Sequence, residues 1–153
     1  MSKKIIRKLA SEQDWEILLD LERKAAEYSP YYLAFTNIAD LREFVGKSVV
    51  YLMFDGAKPI GHVEYESKGD DSVEITGFVI LPEYRGKGLG KILFERAMED
   101  LKETKTVFLM THPENSVALQ VYLSTGFIIK EWKENYYGNG QPRLRLELLR
   151  EET

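Results

Sequence analysis

Val79-Ile80-Leu81-Pro82-Glu83-Tyr84-Arg85-Gly86-Lys87-Gly88-Leu89-Gly90-Lys91 decides how this chain is read. An apolar run stops at a proline, a basic, glycine-rich turn follows, and a segment with helical periodicity begins. The pattern predicts a strand that passes through a turn into a helix N-terminus. Glycines at 86, 88 and 90 remove side chains that would block close approach, and the first amides of a helix have no internal partners. Such a turn suits an anion of the pyrophosphate kind, and Arg85, Lys87 and Lys91 add positive charge. Two common phosphate loops are excluded by spacing. Lys91 is followed by Ile92 rather than by Ser or Thr, and only one residue separates Gly88 from Gly90, where the dinucleotide fingerprint needs two.

Working outward, Val73–Leu81 reads as a strand, Gly88–Glu103 as a helix with Leu89, Leu93, Ala97 and Leu101 as its buried stripe, and Val107–Met110 as an apolar strand. That order implies a parallel pair joined by a helical crossover. Upstream, Lys3–Leu9 predicts a strand and Ser11 the N-cap of a helix to about Glu27. A short helix over Ile38–Val45 follows, then strands over Val49–Phe54 and Pro59–Glu66, with Asp55-Gly56 and Gly69-Asp70 as hairpin turns. Downstream, Asn115–Thr125 reads as a helix ended by Gly126, and Phe127–Tyr136 and Arg143–Leu149 as a hairpin across Gly138-Asn139-Gly140. The fold class expected is α/β (α+β): a mixed sheet of about seven strands with helices on both faces, in one domain over residues 1–153. Gly77, inside an apolar strand, predicts a bulge or a closely approaching backbone or ligand.

The 153 residues are 44% hydrophobic and 12% aromatic, enough for one core. Cysteine is absent, which excludes disulfides, thiol nucleophiles and thiolate metal sites, and two histidines on separate segments make a metal site improbable, so none is expected. The N-terminus lacks a signal-peptide pattern and no stretch is long enough to span a bilayer, so the expectation is a soluble cytoplasmic protein without membrane partners. A net charge of −4 disfavours nucleic acid and suits a cationic substrate. Assembly as a homodimer is left open.

Arg85-x-x-Gly88-x-Gly90 after a strand resembles the pyrophosphate loop of the GNAT N-acetyltransferase superfamily. Asn115, Ala118, Tyr122 and Gly126-Phe127 resemble that family's second cofactor region in spacing and order. The motif match runs from about Glu74 to Phe127, and the order of elements extends it from Ile5 to Leu149. The resemblance implies two splayed parallel strands with acetyl-coenzyme A between them. Phe78, Val79 and Ile80 would lie beside the pantetheine, and Arg85, Gly86, Lys87, Gly88, Leu89, Gly90 and Lys91 around the pyrophosphate. It also implies acetyl transfer to a primary amine by direct attack in a ternary complex, the acceptor being a small molecule, a peptide or a protein N-terminus or lysine. The alternative is a silent acyl-coenzyme A sensor or interaction module.

Tyr122 is the expected acid for the leaving thiolate, because a phenol can donate a proton and the family places a tyrosine there. It lies seven residues after Asn115, two helical turns, so both can reach one ligand. Asn115 is expected to cap its helix, to contact the cofactor, or both. For the base, Glu74 lies eleven residues before Arg85, where histone acetyltransferases of the superfamily carry a glutamate. Glu64 or Glu66 through a water, and His112 at a strand end, are the other candidates. Ribosomal-protein α-amine acetyltransferases carry a glutamate five residues before the asparagine, where this chain has Met110, whereas Asn135-Tyr136-Tyr137 resembles their substrate-side loop. Tyr28, Tyr31, Tyr32 and Phe35 are expected to wall the acceptor site, with core packing as the alternative for half of them.

Overall fold

Side chains of a strand point alternately to its two faces, and along 49–55 both faces are apolar. Val50, Leu52 and Phe54 join one buried cluster with Leu18, Leu21, Leu41 and Val45, while Tyr51 and Met53 join another with Leu93, Phe94, Ala97 and Tyr122. A sheet apolar on both faces must be covered on both. The computed structural model, which describes residues 3–30, 32 and 35–150, shows that arrangement. Its elements are β1 (Lys4–Lys8), α1 (Glu12–Tyr28), α2 (Ile38–Val45), β2 (Val49–Asp55), β3 (Lys58–Gly69), β4 (Ser72–Ile80), α3 (Leu89–Asp100), β5 (Thr106–Thr111), α4 (Ser116–Ser124), β6 (Phe127–Lys133) and β7 (Arg143–Leu148). Helices α1 and α2 cover one face, α3 and α4 the other.

The seven strands run in the order β1-β2-β3-β4-β5-β7-β6, antiparallel throughout except for the parallel pair β4–β5. Two elements end three residues sooner than their periodicity predicts. The helix expected to reach Glu103 stops at Asp100, because Leu101 already bonds three residues back to the Met98 carbonyl and is itself buried. The strand expected to reach Tyr136 stops at Lys133, and Asn135 takes a left-handed φ of 48° that no strand residue adopts.

On the α3 face, Asp100 accepts hydrogen bonds from the Tyr51 and Tyr65 hydroxyls and from Arg96, tying β2 and β3 to the helix. Burial opposes ionisation of this carboxyl, but those three donors hold it below the usual range. Asp100→Ala is expected to lower unfolding free energy by about 2 kcal/mol in urea titration, since two hydroxyls and a guanidinium lose their shared acceptor near solvent.

Candidate active site

Strands β4 and β5 pair only over Ser72–Ile75 and Thr106–Leu109. Beyond that point β4 continues beside β3, β5 continues beside β7, and the sheet opens between them. The register jump on β3 between Glu64 and Tyr65 sets Glu64 opposite Gly77 and Tyr65 opposite Ile75, leaving Thr76 as the extra residue of a bulge. A bulge raises local twist, and this one lies where the parallel pairing ends. The bulge read from Gly77 is therefore present. Among protein atoms, what approaches Gly77 is the Glu64 side chain rather than backbone, and a Cβ at position 77 would meet it 2.8 Å from Cγ and closer still at the carboxylate.

A cavity of about 410 Å³ occupies the opening. Its walls are Phe78, Val79 and Ile80 of β4; Arg85, Gly86 and Gly88 of the turn; Gly90 and Lys91 of α3; Asn115, Val117, Ala118, Gln120, Val121 and Ser124 on the α4 side; and Ala25, Ser29 and Tyr32 on the α1 side. Nine of the twelve residues that the sequence proposed for the cofactor thus meet around one space. Gly88, with φ of 79° and no side-chain cap, hands the chain into α3, so the first helical amides keep no side-chain partner. Gly86 is also left-handed, and a Cβ on either glycine would meet no protein atom within 4 Å. The turn is a cradle of amides at a helix N-terminus, open on the side where a phosphate would approach, with the Lys91 ammonium at its rim. Arg85 spends its Nε on the Ile80 carbonyl at 3.0 Å, which binds the turn to the end of β4.

Three of the twelve lie outside the walls. Lys87 folds its ammonium over the Tyr84 ring, 5.5 Å from the centroid, and Leu89 packs into the α3-side core. Tyr122 is buried among Phe78, Phe94 and Phe127, with ring centroids 5.9, 5.3 and 6.3 Å away. Burial pushes its phenol up, so it is protonated at neutral pH and can only donate its proton or share it.

Asn115 lines the cavity but does not cap α4. Its Nδ2 donates to Thr111 Oγ1 at 3.3 Å, and no side-chain cap bond forms because its backbone, at φ −79° and ψ 67°, lies outside the extended conformation that aims a cap. Glu74 stands outside the cavity walls, half-buried on β4, with Lys68 Nζ 3.8 Å from its carboxylate. Burial raises its carboxyl and Lys68 opposes the rise. Glu66 pairs with the same lysine at 3.1 Å. His112 commits both ring nitrogens, Nδ1 accepting from the Glu114 amide and Nε2 facing Gln141 Oε1, each at 3.0 Å. Of the aromatic wall, Tyr32 lines the cavity, Tyr28 is exposed, Phe35 packs with the α1–α2 core, and Tyr31 lies outside the described residues.

Sequence reasoning missed a cluster on the α1 face. Glu22 of α1 and His62 and Glu64 of β3 are buried together, with His62 Nε2 3.1 Å from Glu22 Oε1, an ion pair whose alignment falls short of a good hydrogen bond. Tyr32 donates to the same Glu22 oxygen at 3.0 Å. Burial alone would lower the His62 imidazole, but Glu22 and Glu64 overcome it and raise it, which favours the charged form. Two signals were present in the sequence. Glu22 falls in the Leu18–Leu21–Ala25 buried stripe, and His62 and Glu64 are two apart in a strand, so they share a face.

The comparisons agree with this geometry. The chain is 30% identical over 112 residues to the N-alpha-acetyltransferase MAK3 of Arabidopsis thaliana, covering 69% of this chain and 58% of that protein. It is 36% identical over 77 residues to a Bacillus subtilis (strain 168) protein described as a putative [ribosomal protein bS18]-alanine N-acetyltransferase, covering 48% and 51%. The matches thus span little more than half the length of these relatives. Among solved structures, the NatC complex bound to Gag peptide and CoA superposes with a TM-score of 0.78 at 22% identity, over 97% of this chain and 99% of that one. The ribosomal-protein-S18-alanine N-acetyltransferase from Escherichia coli does so at 0.78 and 17%, over 99% and 98%. At these identities the structures attest the fold. The sequence model of the Acetyltransferase (GNAT) family matches residues 13–127. With three quarters of its length under that match and the cradle of amides in place, the chain belongs to the GNAT family, whose general reaction is acetyl-coenzyme A-dependent acetyl transfer.

Proposed function

We propose that the protein moves the acetyl group of acetyl-coenzyme A to a primary amine by direct attack in a ternary complex, with the α-amine of a peptide or protein as the preferred acceptor. The observation that carries this is the cavity through the opened sheet. It joins a phosphate-sized amide cradle at α3 to a wall at Tyr32 on the opposite face of the sheet, so a cofactor and an acceptor can meet end to end. The side-chain-free turn fits a pyrophosphate, and Asn115 and the β4 backbone stand where a pantetheine would run. Tyr122 sits beside Phe78 as a neutral phenol, able to protonate a thiolate as it leaves.

Three observations favour an α-amine. Both relatives named above act, by their descriptions, on α-amines or on an alanine of a ribosomal protein. The exposed Tyr136 and Tyr137 rings, edge to face with centroids 4.8 Å apart, offer a peptide an aromatic shelf on the β6–β7 loop. Chemistry adds the third. An α-amine with a pKa near ~8 is neutral in roughly one molecule in ten at pH 7, against about one in 2,500 for a lysine at ~10.4, so it asks less of a base.

The test is acetyl-coenzyme A consumption with a panel of peptides, polyamines and lysine derivatives, products being identified by mass. Peptides free at the N-terminus are expected to be acetylated there. Tyr122→Phe is expected to lower kcat by ~10²-fold while leaving acetyl-coenzyme A affinity unchanged. Tight cofactor binding with no turnover on any amine would favour the silent acyl-coenzyme A module instead.

A further inference from the structure

Burying a carboxylate without a partner is costly, and proteins retain one where it is used. Among the described residues, Glu22, His62 and Glu64 are 1%, 0% and 3% exposed. Glu22 is satisfied by His62 and Tyr32. Glu64 is not: its Oε2 has no hydrogen-bond partner. Its carboxylate occupies the space left by the missing side chain of Gly77, whose chain neighbours Phe78 and Val79 wall the cavity, while Glu64 itself stands behind that wall. Tyr32, on the cavity's acceptor side, feels the charges of Glu22, Glu64 and Tyr122 together. An unpaired, buried oxygen therefore lies against Gly77, one residue along β4 from the cavity wall at Phe78.

We propose that Glu64 is the base that takes the proton from the acceptor's ammonium group through a water, and that His62 and Glu22 are positioning residues that keep its carboxylate behind the cavity wall at Gly77. This rests on the amine reading above. The protons balance as follows. One N–H proton of the ammonium passes to Glu64, leaving a neutral amine whose lone pair forms the C–N bond to the thioester carbonyl. As the C–S bond breaks, Tyr122 gives its proton to the sulfur and recovers one from the nitrogen. The amide and the thiol leave, and Glu64 releases its proton to solvent, so one proton is produced per turnover.

Among the described residues, the titratable groups that act on Glu64 are His62 and Glu66 from β3 and Glu22 from α1, while the Tyr32 phenol after α1 is raised by the Glu64 charge; Gly77 faces it from β4. Burial raises the Glu64 carboxyl, His62 opposes the rise, and Glu22 and Glu66 add to it, leaving it at about 7. A carboxyl raised toward neutrality in this way lies in the range in which general-base catalysis is most effective.

The experiment is kcat/KM against pH for wild type, Glu64→Gln and Gly77→Ala on an acceptor the wild type acetylates, with acetyl-coenzyme A affinity measured by calorimetry. Glu64→Gln is expected to lose ~10²-fold at pH 7 and to recover most of it as pH rises past the amine's own pKa, because the amine then needs no base. The inflection near pH 7 should vanish while cofactor affinity stays unchanged. Gly77→Ala, whose new methyl would approach Glu64 Cγ to 2.8 Å and its carboxylate more closely, must push that buried side chain aside. It is expected to show the same loss at pH 7 with the same cofactor affinity, which a misfolded variant would not keep. If both variants keep wild-type rates and profiles, or if Glu74→Gln takes the loss instead, the assignment to Glu64 is overturned and the acetyltransferase reading stands. A rate that requires added Zn²⁺ and disappears with chelator would also overturn it, since the three groups would then be ligands. If the wild type acetylates no amine, the relay falls together with the proposed function.

Discussion

Gly88→Trp is expected to abolish measurable heat of acetyl-coenzyme A binding in calorimetry while the protein remains folded. Gly88 sits at the start of α3 in the left-handed region, and a Cβ there would point into open space rather than into protein. An indole would therefore fill the place where a phosphate approaches the helix amides, removing the hydrogen bonds and the dipole contribution together. The backbone cost is separate. A non-glycine residue at φ of 79° is strained by roughly 1–2 kcal/mol, which a thermal melt would register as a modest drop. Gly88→Asn separates the two effects, because asparagine tolerates the left-handed conformation and is far smaller than tryptophan. It should keep most of the stability and part of the affinity. Full cofactor affinity in the tryptophan variant would move the pyrophosphate away from this turn.

Asp14→Ala is expected to destabilise the fold by about 2–3 kcal/mol in denaturant unfolding, far more than the loss of an ordinary surface ion pair. The Asp14 carboxylate is almost fully buried and accepts two bonds from Arg7, at 2.7 and 2.9 Å, and two more from the Ala10 and Ser11 amides, at 2.9 and 3.2 Å. It is also the third residue of the α1 capping box, so one side chain fixes the β1–α1 junction and satisfies the helix start. Arg7 is 45% exposed and rehydrates when its partner is removed, which keeps the loss below that of a fully buried pair. The hydrogen bonds from Arg7, against the opposing effect of burial, hold the carboxyl far below its usual range, with the two amides adding to the effect. A depressed carboxyl stabilises the fold fully above its unfolded pKa of ~3.9 and loses that contribution as pH falls through the folded value. The gap between wild type and Asp14→Ala should therefore be widest at neutral pH and narrow below about pH 4. A gap independent of pH would assign the effect to packing.

Much of the site was legible in the linear order of residues. A turn that needs left-handed backbone admits little but glycine, so Gly86 and Gly88 announce their geometry wherever they stand. Amides at a helix start need only the few residues around them to form an anion site. Asn115 and Tyr122 were legible as a pair because one short helix sets their spacing, although the same helix turns Asn115 to the cavity and Tyr122 into the aromatic core. The capping role failed for Asn115 because a cap depends on the backbone angles of its own residue, which the β5–α4 turn dictates.

Which carboxylate is proposed as the base was not legible in that way. Glu64, Glu66 and Glu74 are alike as residue types on two adjacent strands, and Lys68 distinguishes them only once the hairpin has formed: it pairs with Glu66 and Glu74 and leaves Glu64 alone. Glu22 lies about forty residues from His62 along the chain, and nothing local links them. The sequence by itself determined the fold class and the helix-start anion site, because both follow from periodicity and from backbone conformations that single residues permit. Only the tertiary structure decided which carboxylate is buried with an unpartnered oxygen against Gly77. Desolvation and charge pairing depend on what packs across α1, β3 and β4, and that packing exists only in the folded protein.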